Sequence, residues 1–225
     1  MDFLTKTSKK VRENSNGKII AITGSCGKTS LKELLAKTLS KFGKVTFSPR
    51  SFNNKYGVPL SLFNLNPSHE YGIFEVGMDK KGEIDHLSKI IKPDIGIITN
   101  ISYAHAKNFK NIKQIALAKS EIINNINDGG AIVLNADDQF FNLHKKIALR
   151  RNLKIYTFST TKKSSIRLNY VKKEKQKFKI SVVTGNKNKY FYISFNFENY
   201  IKNLLAAITI ISIFKDITKL DKNIF

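Results

Sequence analysis

A chain of 225 residues, 41% hydrophobic and 11% aromatic, can bury one sizeable core, and its length suits one domain or one domain with a small appendage. No apolar run approaches the roughly 20 residues that span a bilayer; Met1-Asp2-Phe3-Leu4-Thr5-Lys6 lacks the apolar segment of a secretory signal, and the single Cys26 excludes an internal disulfide framework or a cysteine-based zinc site, so a soluble cytoplasmic protein is expected. The formal charge of +22 invites a nucleic-acid reading, but lysines scattered among Ile and Asn, scarce arginine and no aromatic-basic RNA signature favour a solvated lysine surface that attracts anionic substrates such as nucleotides.

Residues 1–16 are polar, lysine-rich and without clear period, which reads as a leader or linker, with the domain proper over 17–225. Lys18 to Thr23 is the short apolar run of a buried parallel strand, entering a glycine-bounded turn, Gly24 to Gly27. A helix is predicted next, with Leu31, Leu34, Leu35, Thr38 and Leu39 on one face and Gly43 ending it before a strand at Lys44 to Phe47. Asn53 to Pro59 is a loop leading into a helix through about Leu65. Strand Tyr71 to Val76, helix Ile84 to Ile91, strand Asp94 to Thr99, helix Ile112 to Asn124, strand Ala131 to Leu134, helix near Gln139 to Leu149 and strand Lys154 to Phe158 follow in turn.

That alternation predicts an α/β fold, a mostly parallel sheet of the phosphate-loop type flanked by helices, with ligands at the carboxyl ends of the strands. Between about 160 and 197 the period changes. Ile166 to Tyr170, Phe178 to Val182 and Tyr190 to Ser194 read as a small antiparallel β appendage near the C-terminus, followed by an apolar helix, Ile201 to Phe214.

The candidate site starts at Gly24-Ser25-Cys26-Gly27-Lys28-Thr29-Ser30. A glycine-bounded turn between strand and helix lets successive backbone N–H groups face a polyphosphate, and the helix N-terminus adds partial positive charge. Lys28 supplies a cation for the outer phosphates, and Thr29 a hydroxyl for Mg²⁺. The standard pattern has a further glycine where this chain has Ile22, so the motif alone also admits a strand-turn-helix with a chance Gly-Lys-Thr.

The variant Thr23-Gly24-Ser25-Cys26-Gly27-Lys28-Thr29-Ser30, with Lys32-Glu33 after it, resembles the phosphate loop of the Mur ligases. The likeness continues in order through Asn53-Asn54 with Gly57-Val58-Pro59, Glu75-Val76-Gly77-Met78 with Gly82-Glu83-Ile84, Thr99-Asn100-Ile101 with Ala104-His105, Ala118-Lys119-Ser120-Glu121-Ile122, and Leu134-Asn135-Ala136-Asp137-Asp138. It is strong over about Gly17 to Asp138 and weaker at Leu204-Leu205-Ala206-Ala207.

This resemblance implies the central domain of an ATP-dependent amide ligase of peptidoglycan precursor synthesis. The branch it most resembles adds D-Ala-D-Ala to UDP-N-acetylmuramoyl-tripeptide (UDP-MurNAc-peptide) through an acyl phosphate, with ATP and Mg²⁺. The family's pattern gives Lys28 to the β/γ-phosphates, Thr29 and Glu75 to a first Mg²⁺, His105 and a carbamylated Lys119 to a second, and Asn53 and Asn54 to the substrate side. Asn203 is the one residue of Asn199-Tyr200-Ile201-Lys202-Asn203 that matches the segment with which the family approaches adenine. It also implies an N-terminal UDP-sugar domain and a C-terminal closing domain outside this chain, missing or supplied by partner chains, and hence weak or absent ligation alone. Another Mur or folylpolyglutamate-type ligase domain, or a basic nucleic-acid-binding module with a degenerate loop, are the alternatives.

Overall fold

The apolar run Lys18–Thr23 forms β1, with Ile19, Ile20, Ala21 and Ile22 fully buried. Its neighbours on either side, β3 (Tyr71–Glu75) and β4 (Ile95–Ile98), pair with it in parallel, so neither edge of β1 meets water. Alternate residues feed two separate cores: Ile20 and Ile22 one, Ile19 and Ala21 the other. A strand buried on both faces must be apolar throughout, which is why its sequence shows no alternation. The computed structural model describes residues 2–103, 108–193 and 200–225.

β2 (Val45–Phe47) pairs outside β3; β5 (Ala131–Asn135) and β6 (Lys154–Ser159) continue the parallel sheet beyond β4. With β7 (Ile166–Glu174), β8 (Lys177–Thr184) and β9 (Lys187–Ile193), the order is β2-β3-β1-β4-β5-β6-β7-β8-β9. The antiparallel strands expected as an appendage are a continuation of this sheet. A short parallel junction, Phe158↔Ile166 and Ser159↔Arg167, joins them to β6.

The helices are α1 (Asp2–Glu13), α2 (Lys28–Leu39), α3 (Gly57–Leu62), α4 (Glu83–Ile91), α5 (Ile112–Ser120), α6 (Phe141–Arg150) and α7 (Ile201–Phe214). α2 and α7 cover one face, where Leu31, Leu35 and Leu39 meet Leu204 to Ile211. α3, α4, α5 and α6 bury Val58, Leu62, Leu87, Ile115 and Ala148 on the other. Among the described residues no helix is long and apolar enough to cross a membrane.

Three local expectations are corrected. Residues 2–13, expected to lack a regular period, are helical: Ser8 and Arg12 lie inside, one turn apart, and Val11 packs half-buried against the core that α3 to α6 cover. Arg12 Nε donates to Ile91 O at 2.7 Å and Nη2 to Lys92 O at 2.8 Å, so α1 is fastened to the end of α4 by hydrogen bonds that an apolar periodicity cannot reveal. α3 stops at Leu62, short of Leu65. α5 gives way at Glu121 to a 3-10 turn, Glu121–Asn125.

Candidate active site

The loop between β1 and α2 adopts left-handed backbone at Gly27, φ +82°, while Gly24 has φ +149°. A β-carbon on Gly24 would stand 1.8 Å from Thr99 Oγ1, and one on Gly27 2.8 Å from Asn203 Oδ1. Glycine is therefore required at both positions, for contact as much as for conformation. The end of β4 holds the loop from one side: Cys26 N donates to Asn100 Oδ1 at 3.0 Å, Thr99 Oγ1 to Cys26 O at 2.8 Å, and Ser102 N to Ser25 Oγ at 2.9 Å. From the opposite core, Asn203 Nδ2 on α7 donates to Gly27 O at 3.0 Å.

Two lysines converge on Gly24 O. Lys28 Nζ donates to it at 2.9 Å and Lys119 Nζ, from α5, at 3.0 Å. Burial lowers the Lys28 pKa, against the attraction of Glu75 and Cys26. Lys119 is 1% exposed. Burial first and the neighbouring Lys28 second, opposed by Cys26, bring it down to about 7. At neutral pH a large share of its amine is thus unprotonated.

On the other side of Lys28, β3 delivers Glu75, also 1% exposed. Thr29 Oγ1 donates to Glu75 Oε2 at 2.9 Å, Asn53 Nδ2 to Oε1 at 2.8 Å, and Lys32 Nζ lies 3.9 Å from Oε2. Ser51 Oγ is 3.5 Å from Thr29 Oγ1. Carboxylate and hydroxyl oxygens are the hard donors that Mg²⁺ takes alongside phosphate and water. Thr29 and Glu75 are adjacent and fit such an ion; among the described residues no cluster of three His, Cys, Asp or Glu forms a cage by itself.

A cavity of about 610 Å³ opens beside Lys28, bounded by Asn53 and Asn54 on one wall and by Lys80, Lys81, Glu83 and His86 on another. Asn53 thus reaches both Glu75 and the cavity. The Asn54 side-chain oxygen accepts from Tyr56 N at 3.1 Å and Gly57 N at 2.9 Å, which shapes the entry to α3. Glu121 ties the α5 segment to the far wall: its carboxylate accepts from Gly82 N at 2.9 Å and Asp85 N at 3.1 Å.

The sequence-predicted residues Lys28, Thr29, Glu75, Lys119, Asn53 and Asn203 therefore gather around one loop, while His105 lies outside the described residues. Lys32, Ser51 and Thr99 had been given no role. Lys32 carried two signals, its place beside Glu33 in the segment that resembles the Mur ligases and its position one helical turn after Lys28, and neither assigns it a partner.

The model of the Mur ligase middle domain matches residues 22–211. The UDP-N-acetylmuramoyl-tripeptide--D-alanyl-D-alanine ligase of Buchnera aphidicola subsp. Baizongia pistaciae is 36% identical over 207 residues, covering 92% of this chain and 45% of the relative. MurF from Acinetobacter baumannii superposes with a TM-score of 0.87 at 28% identity, over 97% of this chain and 49% of that one. The MurF ligase of Thermotoga maritima, solved in complex with ADP, gives 0.86 at 25% identity, over 98% and 52%. The chain spans about half the length of the relatives it matches.

Proposed function

The chain belongs to the Mur ligase family, matching its middle domain, and from that premise we propose that it binds ATP with Mg²⁺ at Gly24–Ser30 for the ligation of D-Ala-D-Ala to UDP-MurNAc-tripeptide. The observation that carries the reading is the convergence of Lys28, Thr29, Glu75 and Lys119 on one glycine-bounded loop. The ADP held by the Thermotoga maritima relative supports the choice of nucleotide.

The proposed reaction is two displacements. An oxygen of the peptide's terminal carboxylate forms a bond to the γ-phosphorus of ATP as the bridging bond to ADP breaks. The amine of the dipeptide then attacks the acyl carbonyl, phosphate leaves, and the nitrogen gives up a proton. Anions crowd together in both steps, so fixed cations are the main requirement.

Lys28 would exchange the carbonyls of Gly24 and Ser25, at 2.9 and 3.4 Å, for β/γ-phosphate oxygens. The backbone amides of 24–30 and the first turn of α2 would cradle the phosphates. Thr29 and Glu75 would hold Mg²⁺, which when bound neutralises phosphate charge. Lys119, with its unprotonated share at neutral pH, is suited to take up CO₂ as a carbamate and so to exchange a cation for an anion near a second metal position; His105 is proposed as its partner there. Asn53 and Asn54 are assigned to the wall of the peptide cavity, and Asn203 to bracing the loop under the nucleotide. The UDP-sugar and closing functions are assigned to no residue of this chain, so little ligation is expected from it alone. A cytoplasmic site of action follows from the substrates proposed.

Calorimetric titration of Mg-ATP into the chain and into Lys28→Ala tests the reading. Saturable heat in the first that disappears in the second is the expected result; no binding to the folded wild-type chain, or equal binding to both, overturns it.

A further inference from the structure

Lys32 is fully buried and the ligation chemistry proposed above makes no use of it. A buried ammonium must find acceptors to offset its lost hydration. It has one acceptor, the carbonyl of Arg50, and an ion-pair partner in Glu75 Oε2 at 3.9 Å. The first is the informative one. Arg50 has φ +44°, left-handed backbone that a residue bearing a side chain adopts uncommonly; Lys92, Asn152 and Lys175 adopt it at a helix end and at turns, whereas Arg50 does so with its carbonyl held by a buried lysine beside Glu75.

The segment around Arg50 spends its polar groups on the same two site residues. Ser48 Oγ accepts from Glu75 N at 3.1 Å, Ser51 Oγ stands 3.5 Å from Thr29 Oγ1, and Asn53 Nδ2 donates to Glu75 Oε1 at 2.8 Å. α2 thus presents three successive functions along one stretch: Lys28 toward the loop, Thr29 toward Glu75, and Lys32 beneath both.

We propose that Lys32 is a positioning residue for the metal-side carboxylate, locking segment 48–53 against Glu75 and Thr29 through the backbone carbonyl of Arg50. The inference rests on the nucleotide-site reading, because what Lys32 organises is the pair of oxygens assigned to Mg²⁺. The hydrogen bonds of Lys28 and of the loop run to Gly24, Ser25, Asn100 and Asn203 rather than to segment 48–53, so Lys32 governs chiefly how much Mg²⁺ strengthens nucleotide binding.

The test is ATP affinity with Mg²⁺ and with EDTA, for the wild-type chain, Lys32→Met, Arg50→Val and the double variant Lys32→Met/Arg50→Gly. Valine resists left-handed backbone and opens no buried hole, so it reports on the segment even where Lys32→Met folds poorly. Glycine adopts that backbone without help. Both single variants are expected to lose about tenfold or more of the gain from Mg²⁺, read as the ratio of affinities with and without the metal so that the loss of a cation near ATP, common to both buffers, cancels; a loss of that size is the usual cost of removing an outer support from a metal site. The double variant is expected to recover that gain. Single variants that keep the gain, that weaken binding equally in both buffers, or a glycine that restores nothing each overturn the inference. A wild-type chain that binds ATP in neither buffer brings down the nucleotide-site reading and this inference with it; a wild-type chain that binds ATP without a Mg²⁺ gain brings down this inference alone.

Discussion

Replacing Lys119 with methionine keeps most of the side-chain volume and removes a cation from a site that is 1% exposed. The native ammonium is held from its ordinary 10.5 down to about 7, by burial first and by Lys28 second. Because the unfolded chain binds this proton more tightly than the folded one, the cost to stability is full below about pH 7 and fades as pH rises toward 10.5. At about 1.4 kcal/mol for each pKa unit the cost is about 5 kcal/mol, comparable with the whole stability of many domains. The variant also gives up the hydrogen bond to Gly24 O at 3.0 Å, worth about 1 kcal/mol. Lys119→Met should therefore be more stable than wild type by about 4 kcal/mol near pH 6, with the advantage shrinking to nothing or reversing near pH 10. Urea unfolding of both proteins across that range, in CO₂-free buffer, measures the difference. A variant no more stable near pH 6, or a gap that does not narrow with pH, refutes the reasoning. The same variant has no amine and cannot form the proposed carbamate.

Gly24→Ala places a methyl 1.8 Å from Thr99 Oγ1 and should abolish Mg-ATP binding while lowering stability by about 1–3 kcal/mol, read from calorimetry and urea midpoints. Glu75→Gln leaves Lys32 buried without its anion and should cost about 3 kcal/mol or more; adding Lys32→Met should restore part of the lost melting temperature, and a double variant no better than the single contradicts the pairing. Burial pushes the Asp137 carboxyl up, but bonds from Ser159, Thr160 and Thr161 outweigh it and hold the group at about 2. That contribution is present above its ordinary 3.8 and lost as pH falls through about 2, so Asp137→Asn should flatten the acid limb of the stability profile there.

The sequence made the centre of the sheet legible because β1 is buried on both faces and carries its message in plain hydrophobicity. It also made Lys28, Thr29 and Glu75 legible, since each sits at a strand end or helix start where the chain changes character. Other parts were hidden for identifiable reasons. α1 docks through the hydrogen bonds of Arg12 with Val11 packed beside them, so its buried face mixes polar with apolar residues. β7 to β9 have the alternation of antiparallel strands, but nothing local announces that Ile166 and Arg167 pair with β6. Lys32 is one lysine among many until its carbonyl partner, Arg50, is seen to be left-handed. Asn203 could be singled out, but its bond to Gly27 O, from a helix near the other end of the chain, could not.

That last bond has a consequence for how the protein reaches its working form. The contacts that shape the phosphate loop span 46 residues from Thr29 to Glu75, 95 from Gly24 to Lys119 and 176 from Gly27 to Asn203. Long loops close slowly, because chain entropy is lost before the contact is gained. The loop can therefore form as a local turn early, but its finished geometry arrives only after β3, α5 and α7 have docked. Recovery of nucleotide binding during refolding should follow the last of those events, so binding would report the docking of β3, α5 and α7, and a ligand selective for the finished loop stabilises α7 as much as the loop it touches.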